Sequence, residues 1–99
     1  MSVVALLGAG GKMGFRLSSN LKNSEFEVRH IEIGAAGQAR LRDELGVSCV
    51  DTAEGVPGAD VVILAVPDSL VGRIAKDIEP MLQRGTMVVT LDAAAPFAG

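Results

Sequence analysis

The sequence predicts an α/β fold, a doubly wound parallel sheet with helices on both of its faces. Two observations support this prediction: short runs rich in Val, Ile and Leu recur along the chain, and amphipathic stretches separate them. Strands that alternate with helices need right-handed crossover connections, which place the strands parallel to one another. The chain has 99 residues, enough for one domain with a hydrophobic core.

The first half of the chain contains three predicted strands and two predicted helices. An unbroken apolar run over residues 2–7 stops at a glycine cluster, as a strand buried on both faces does. Met13, Leu17 and Leu21 recur at every fourth position and predict a helix over residues 12–22. The other elements predicted here are a second strand (27–33), a second helix (38–45) that Gly46 closes, and a short third strand (47–50).

The second half of the chain contains two predicted strands and one predicted helix. Residues 60–66 give the strongest strand signal, which Pro67 stops. Residues 70–82 form an amphipathic pattern, and Pro80 should end the regular part of that helix early. Residues 86–91 complete a fifth strand. For five strands connected in this way we expect the order 3-2-1-4-5 in the sheet.

Composition excludes several classes of protein. Hydrophobic residues make up 48% of the chain and charged residues 21%, which excludes a disordered protein. Residues 61–66 are too few to cross a membrane, and a net charge of -3 without a basic cluster argues against a nucleic-acid partner. Cys49 has no cysteine partner and lies in an apolar run, so we expect a buried thiol. Without a signal peptide, the expected location is cytoplasmic, and no metal site is predicted.

The glycine cluster at residues 8–14, GAGGKMG, is the strongest functional motif, because it follows a strand and opens a helix. Glycine lets backbone N–H groups approach a diphosphate closely, and the helix amino end adds partial positive charge. Met13 breaks the spacing G-x-G-x-x-G, so the cluster fits G-x-x-G-x-x-G, with Gly14 packing the helix on the strand. The alternatives are that the glycine turn binds no ligand and that Lys12 is a solvated surface residue rather than a phosphate contact. The motif predicts a Rossmann-type fold whose pyrophosphate contacts are Gly8, Gly10, Gly11, Lys12 and Met13.

Glu32 ends the second predicted strand eighteen residues after Gly14, where a carboxylate can accept hydrogen bonds from the adenosine ribose. It would repel a 2′-phosphate, so the sequence predicts NAD as the cofactor. NADP remains the alternative, because Arg29 or Arg40 could compensate, and Glu32 could also be an ordinary surface residue. His30, the single histidine, is expected to be a packed strand residue rather than a catalytic one.

The end of the fourth predicted strand is a further candidate part of the site. Ala65, Val66 and Pro67 lie beside the first strand, at the switch point where open parallel sheets bind ligands. Small apolar side chains there suit a surface along which a ribose lies, and ordinary strand-end packing is the alternative. Asp68 and Asp92 could face the nicotinamide end, but neither is placed as a tuned base, so the catalytic residues are unknown.

Three segments together resemble the 6-phosphogluconate dehydrogenase-like superfamily, which includes β-hydroxyacid, prephenate and pyrroline-carboxylate enzymes. They are the residues 11–14, GKMG, the residues 31–33, IEI, and the residues 59–67, ADVVILAVP. With residues 91–96, LDAAAP, the chain looks most like the subgroup of phosphogluconate dehydrogenase-related NAD-binding proteins. The glycine turn alone also resembles dihydrodipicolinate reductase, but the end of the fourth strand does not fit that family.

The resemblance implies an NAD(P)-dependent oxidoreductase that acts on a small hydroxy acid or sugar acid. Residues 1–99 would be its cofactor domain, without the second, helical domain that supplies the substrate pocket, the catalytic Lys or His and often the homo-oligomer contact. Ala93 and Ala94 replace the Ser-Thr pair that holds the substrate carboxylate in β-hydroxyacid dehydrogenases, so substrate chemistry does not carry over. We expect the chain alone to be inactive. The alternative is an NAD(H)-sensing regulatory module without catalysis.

Overall fold

A computed structural model describes residues 2–22, 24–66 and 68–90 of the chain. Four parallel strands form one sheet in the order β2-β1-β3-β4. The strands are β1 (Val3–Leu7), β2 (Glu27–Ile31), β3 (Val61–Leu64) and β4 (Met87–Thr90). The helices are α1 (Lys12–Lys22), α2 (Ala35–Arg40), α3 (Thr52–Gly55) and α4 (Asp68–Ile78).

Helices cover both faces of the sheet, which confirms the doubly wound architecture. On one face α4 and the end of α3 bury Ala5, Leu7 and Ile31 together with apolar residues of β3. On the other face Leu6 packs with Leu41 and with apolar side chains of α1. Alternate residues of β1 therefore face different helix layers, and this alternation explains why the strand is an unbroken apolar run.

The predicted strand order is confirmed, although the predicted third strand is reduced to one residue. Cys49 makes a single parallel bridge with His30, on the side of β2 away from β1. The Val50 N–H donates to the His30 carbonyl at 2.9 Å, and the short helix α3, which the sequence did not predict, begins two residues later. If the Cys49 bridge is counted as predicted strand 3, and β3 and β4 as predicted strands 4 and 5, the sheet has the predicted order 3-2-1-4-5.

The segment after β2 differs most from the sequence prediction. β2 ends at Ile31 rather than at residue 33, because the Glu32 side chain turns back toward the backbone of the glycine turn. α2 begins at Ala35 rather than at residue 38, and Gly34 is its first, extended cap residue. A π-helical turn over Leu41–Leu45 continues α2 and ends at Gly46, which has a φ of 68° as a closing glycine requires.

The second half follows the prediction closely. α4 ends at Ile78, and Pro80 lies in the 3₁₀ turn Glu79–Met81 that follows it. This agrees with the prediction that Pro80 ends the regular part of the helix early. The predicted fifth strand is β4, an edge strand on which Met87 and Val88 are exposed. Within the described ranges no helix combines the length and the apolar composition that a membrane span needs.

Two glycines of the turn permit contacts that no side chain would allow. Gly8 has a φ of 79°, and a Cβ there would lie 2.3 Å from the Ala65 carbonyl oxygen. A Cβ on Gly14 would lie 1.9 Å from the Gly8 carbonyl oxygen, so the first turn of α1 packs directly on the turn backbone. Gly14 therefore has the helix-packing position that the motif predicts.

We predict opposite stability changes for two glycine-to-alanine substitutions in helices. Gly14→Ala should lower the free energy of unfolding by about 3 kcal/mol, because the new methyl group overlaps backbone atoms that cannot move aside. Gly72→Ala is the matched control, since nothing lies within 4 Å of a Cβ at that position of α4. It should raise the free energy of unfolding by about 0.5–1 kcal/mol. Urea denaturation measures both, and equal stability of the two variants would contradict this packing.

Candidate functional site

A cleft of about 450 Å³ opens at the carboxyl ends of β1, β2 and β3. This is the edge where open parallel sheets bind ligands, and the volume lies within the range of about 300–1,000 Å³ for small-molecule sites. Among the described residues that line it, apolar side chains predominate and three side chains are polar. The polar residues are Glu32, Thr52 and Asp77, and the apolar side chains are Leu7, Ile31, Ile33, Ala65, Val66, Leu70, Ile74, Ile78 and Met81.

Gly8 and Gly11 line this cleft, whereas Gly10 is buried beneath it. A Cβ on Gly10 would lie 2.5 Å from the Cα of Gly37, so the turn packs against the first turn of α2. A Cβ on Gly11 would meet only the Gly8 carbonyl oxygen, at 3.4 Å, and is otherwise in open space. Gly11 directly precedes α1 and is exposed, so the amino end of that helix opens on the cleft.

Two backbone N–H groups hold the carboxylate of Glu32. Gly10 donates to Oε1 and Gly34 donates to Oε2, each at 2.9 Å. The side chain lies over Gly37, where a Cβ would come within 2.7 Å of its Cδ. Gln38 fixes the main chain at the same place by donating from Nε2 to the Glu32 carbonyl at 2.6 Å. The carboxylate is therefore fixed between the glycine turn and α2, and Glu32 lines the cleft.

Neither candidate arginine lines this cleft. Arg29 donates from Nη1 to the carbonyls of Gly55 and Pro57, at 3.1 and 2.7 Å. Arg40 lies over the Phe15 ring, 4.3 Å from its centroid, and pairs with Glu44. The idea that one of them compensates a 2′-phosphate beside Glu32 therefore finds no support in the contacts of either side chain.

The structure brings most of the predicted site residues together. Gly8, Gly11, Glu32, Ala65 and Val66 line one cleft. Ala65 continues the hydrogen bonding of β3, since its N–H donates to the Leu7 carbonyl at 2.9 Å. Of the other candidates, Lys12 and Met13 are the first residues of α1, and Pro67, like Asp92, lies outside the described residues.

His30 is a packed strand residue, as the sequence indicated. It is buried, and its Nδ1 lies 3.1 Å from the hydroxyl of Ser18 on α1. Cys49 beside it is half-buried rather than fully buried. Burial, and secondarily the negative charge of Glu32, raises the pKa of the Cys49 thiol, so the thiol stays protonated and unreactive at neutral pH.

Sequence reasoning missed three residues that build this site. Ser18 is fully buried, and its position on the inner face of α1 beside Leu17 and Leu21 was the available signal. Gly37 looked like part of a loop, but it lies inside α2 and makes room for Glu32. Asp77 lines the cleft from the last turn of α4, and no local pattern marks it.

The parallel sheet, the glycine turn at a helix amino end and the fixed carboxylate define a Rossmann-type dinucleotide-binding domain. A family model described as the NADPH-binding domain of acetohydroxy acid isomeroreductase matches residues 2–94. The chain belongs to this family. The match confirms the predicted fold and the predicted nicotinamide dinucleotide cofactor.

Related proteins match at least nine-tenths of the chain (91–100%) but are much longer. D-apionate oxidoisomerase from Rhizobium rhizogenes is 61% identical over 99 residues, which are 100% of this chain and 36% of that protein. A semialdehyde dehydrogenase NAD-binding protein from Cupriavidus necator, crystallised with calcium and NAD, has a TM-score of 0.91 at 56% identity, over 100% of this chain and 36% of that one. Mycobacterium tuberculosis 3-hydroxyisobutyrate dehydrogenase has a TM-score of 0.79 at 27% identity, over 91% of this chain and 31% of that one. The chain thus spans about a third of the length of these relatives.

We predict that the chain loses stability through His30 as the pH falls. Burial lowers the pKa of the His30 imidazole below its ordinary value of about 6.5. The unfolded chain then binds a proton that the folded chain does not, so the free energy of unfolding decreases as the pH drops below about 6.5. Urea denaturation between about pH 7 and about pH 5 measures the loss, which should be smaller in His30→Asn because the titrating group is gone. The same pH dependence in both proteins would contradict the assignment.

Proposed function

We propose that this chain binds NAD in preference to NADP and is the cofactor domain of an oxidoreductase. The observation that carries the proposal is the Glu32 carboxylate, held by the N–H groups of Gly10 and Gly34 in the lining of an apolar cleft, with both candidate arginines engaged elsewhere. A carboxylate in this position accepts hydrogen bonds from ribose hydroxyls and repels a 2′-phosphate.

The proposed pyrophosphate contacts are Gly8, Gly10, Gly11, Lys12 and Met13. The Gly10 N–H donates to Glu32, and the Gly11 N–H donates to the Gly8 carbonyl at 3.0 Å, so these two glycines contribute close backbone approach. The first N–H groups of α1 would supply the donors to the diphosphate. The open space at Gly11 supports this division. Ala65, Val66 and Pro67 would provide the small apolar surface along which the nicotinamide half lies.

The apolar wall of the cleft suits the adenine ring. Ile33 is 88% exposed although it is a large apolar residue, and it lines the cleft directly beside Glu32. A flat base packed against it would remove that apolar surface from water. When bound, the cofactor accepts or donates a hydride, and the residues of this chain bind and orient it.

The activity that we propose for the whole protein is oxidoreduction of a small hydroxy acid or sugar acid. The name of the Rhizobium relative, D-apionate oxidoisomerase, supports this substrate class. Residues 1–99 would be the amino-terminal NAD(P)-binding domain, since relatives of this chain are about three times as long. Catalytic acid-base groups, a substrate pocket and homo-oligomer contacts would then come from a second domain, and the working location would be the cytoplasm.

Gly11→Val should abolish binding of NADH without unfolding the chain. The valine side chain would enter the cleft where the diphosphate must approach, while its Cβ meets only one backbone atom. Isothermal titration calorimetry measures the affinity, and circular dichroism reports the fold. Gly72→Val is the control, because it adds the same side chain to open space on α4, outside the cleft lining. Unchanged affinity in a folded Gly11→Val chain would show that the phosphate binds elsewhere.

The unmodified chain should bind NADH at least about tenfold more tightly than NADPH, which corresponds to about 1.4 kcal/mol of charge repulsion at Glu32. Glu32→Ala should reduce this ratio toward one. Glu27→Ala is the control, since Glu27 lies at the other end of β2 and pairs with Arg29. Fluorescence titration with the two reduced cofactors gives both affinities. Equal affinities in the unmodified chain would refute the assignment of Glu32.

A further inference from the structure

One peptide group of the glycine turn is fixed at both of its ends. The Ala9 carbonyl accepts a hydrogen bond from the Ser18 hydroxyl at 3.2 Å, and the Gly10 N–H donates to Glu32 Oε1 at 2.9 Å. These two groups belong to the same planar peptide, in which C=O and N–H point in opposite directions. A rotation of this peptide therefore moves both hydrogen bonds together.

Ser18 is itself held by His30. The only hydroxyl hydrogen of Ser18 is used by the Ala9 carbonyl, so His30 Nδ1, at 3.1 Å from Oγ, must be the donor in that contact. Ser18 is 0% exposed and His30 is 6% exposed, and neither lines the cleft. A continuous series of hydrogen bonds thus runs from His30 through Ser18 and the Ala9–Gly10 peptide to the carboxylate of Glu32.

We infer that Ser18, supported by His30, is a positioning residue for Glu32 and thereby sets the discrimination between NAD and NADP. Without the hydroxyl, the Ala9 carbonyl loses the hydrogen bond from Ser18 within a fully buried residue, which favours rotation of the peptide. The Gly10 N–H then turns away from Oε1, and Glu32 keeps only the N–H of Gly34. The inference depends on the proposed function, because it assigns the ribose contact to Glu32.

Other contacts of the turn explain why such a rotation stays local. The N–H groups of Gly8 and Ala9 both donate to the Ile31 carbonyl, at 2.9 and 3.1 Å. They hold the first half of the turn on β2 whether or not Ser18 is present. The Ala9–Gly10 peptide is the next group along the chain, and its carbonyl is held by a residue of α1. Ser18 thus controls orientation at one peptide rather than the path of the whole turn.

The test compares Ser18→Ala with Ser19→Ala in the 99-residue chain, by titration with NADH and NADPH. Ser19 is the next residue of the same helix and is outside the hydrogen-bond series. Ser18→Ala should lower NADH affinity about fivefold, the usual effect of one hydrogen bond, and change NADPH affinity less. The ratio of the two affinities should fall, whereas Ser19→Ala should leave it unchanged.

A double-mutant cycle with Glu32→Ala separates positioning from general destabilisation. If Ser18 acts through Glu32, Ser18→Ala has little further effect on NADH affinity once the carboxylate is removed. An equal loss of affinity in both backgrounds, or an unchanged NADH to NADPH ratio, would overturn the inference. If Ser18→Ala does not fold, His30→Asn and His30→Leu replace it: asparagine keeps an N–H donor and should preserve the ratio, and leucine should lower it.

A measurement without cofactor distinguishes failure of this inference from failure of the proposed function. In the free chain, the amide proton resonance of Gly10 reports its hydrogen bond to Glu32. The inference requires this resonance to shift in Ser18→Ala and to remain in place in Ser19→Ala. If the unmodified chain bound neither nucleotide, the proposed function would be wrong, and an unshifted Gly10 resonance would independently refute the positioning role.

Discussion

Backbone packed directly against backbone at the glycine turn is the contact on which the rest of this site depends. Gly8 lies against the end of β3, Gly10 against α2, and Gly14 against the turn itself, and each contact lacks space for a Cβ. The three contacts bring the end of β3, α1 and α2 to one point at the carboxyl edge of the sheet. The cleft, the amino end of α1 and the carboxylate of Glu32 are neighbours because of this close approach.

The sequence predicted those parts of the fold that depend on local pattern. Apolar runs located the strands, and a period of four located α1, because burial on one or both faces leaves a direct mark on residue type. The end of β2 and the start of α2 were misplaced, since both depend on where the Glu32 side chain finds its N–H donors. Cys49 retained only one bridge, although its apolar neighbours resemble those of a complete strand.

The candidate site also contains residues that local pattern predicts and residues that depend on distant parts of the fold. The glycines and Glu32 were predictable because their spacing from a strand end is fixed by the βαβ geometry. Ser18 and Gly37 were not, since their roles depend on partners that come from other elements of the fold. The family comparison confirms the cofactor class that the sequence predicts, since the chain belongs to a family of nicotinamide dinucleotide-binding domains.

The open position at Gly11 has a consequence for how such a domain can change over generations. Gly8, Gly10 and Gly14 are required by packing, whereas Gly11 faces the cleft and touches little else. Under the proposed function, loss of ligand binding and loss of folding would therefore map to different positions within seven adjacent residues. A duplicated gene could accumulate bulky replacements at Gly11 and still encode a stable protein, which provides a simple route from a cofactor-binding domain to a purely structural one.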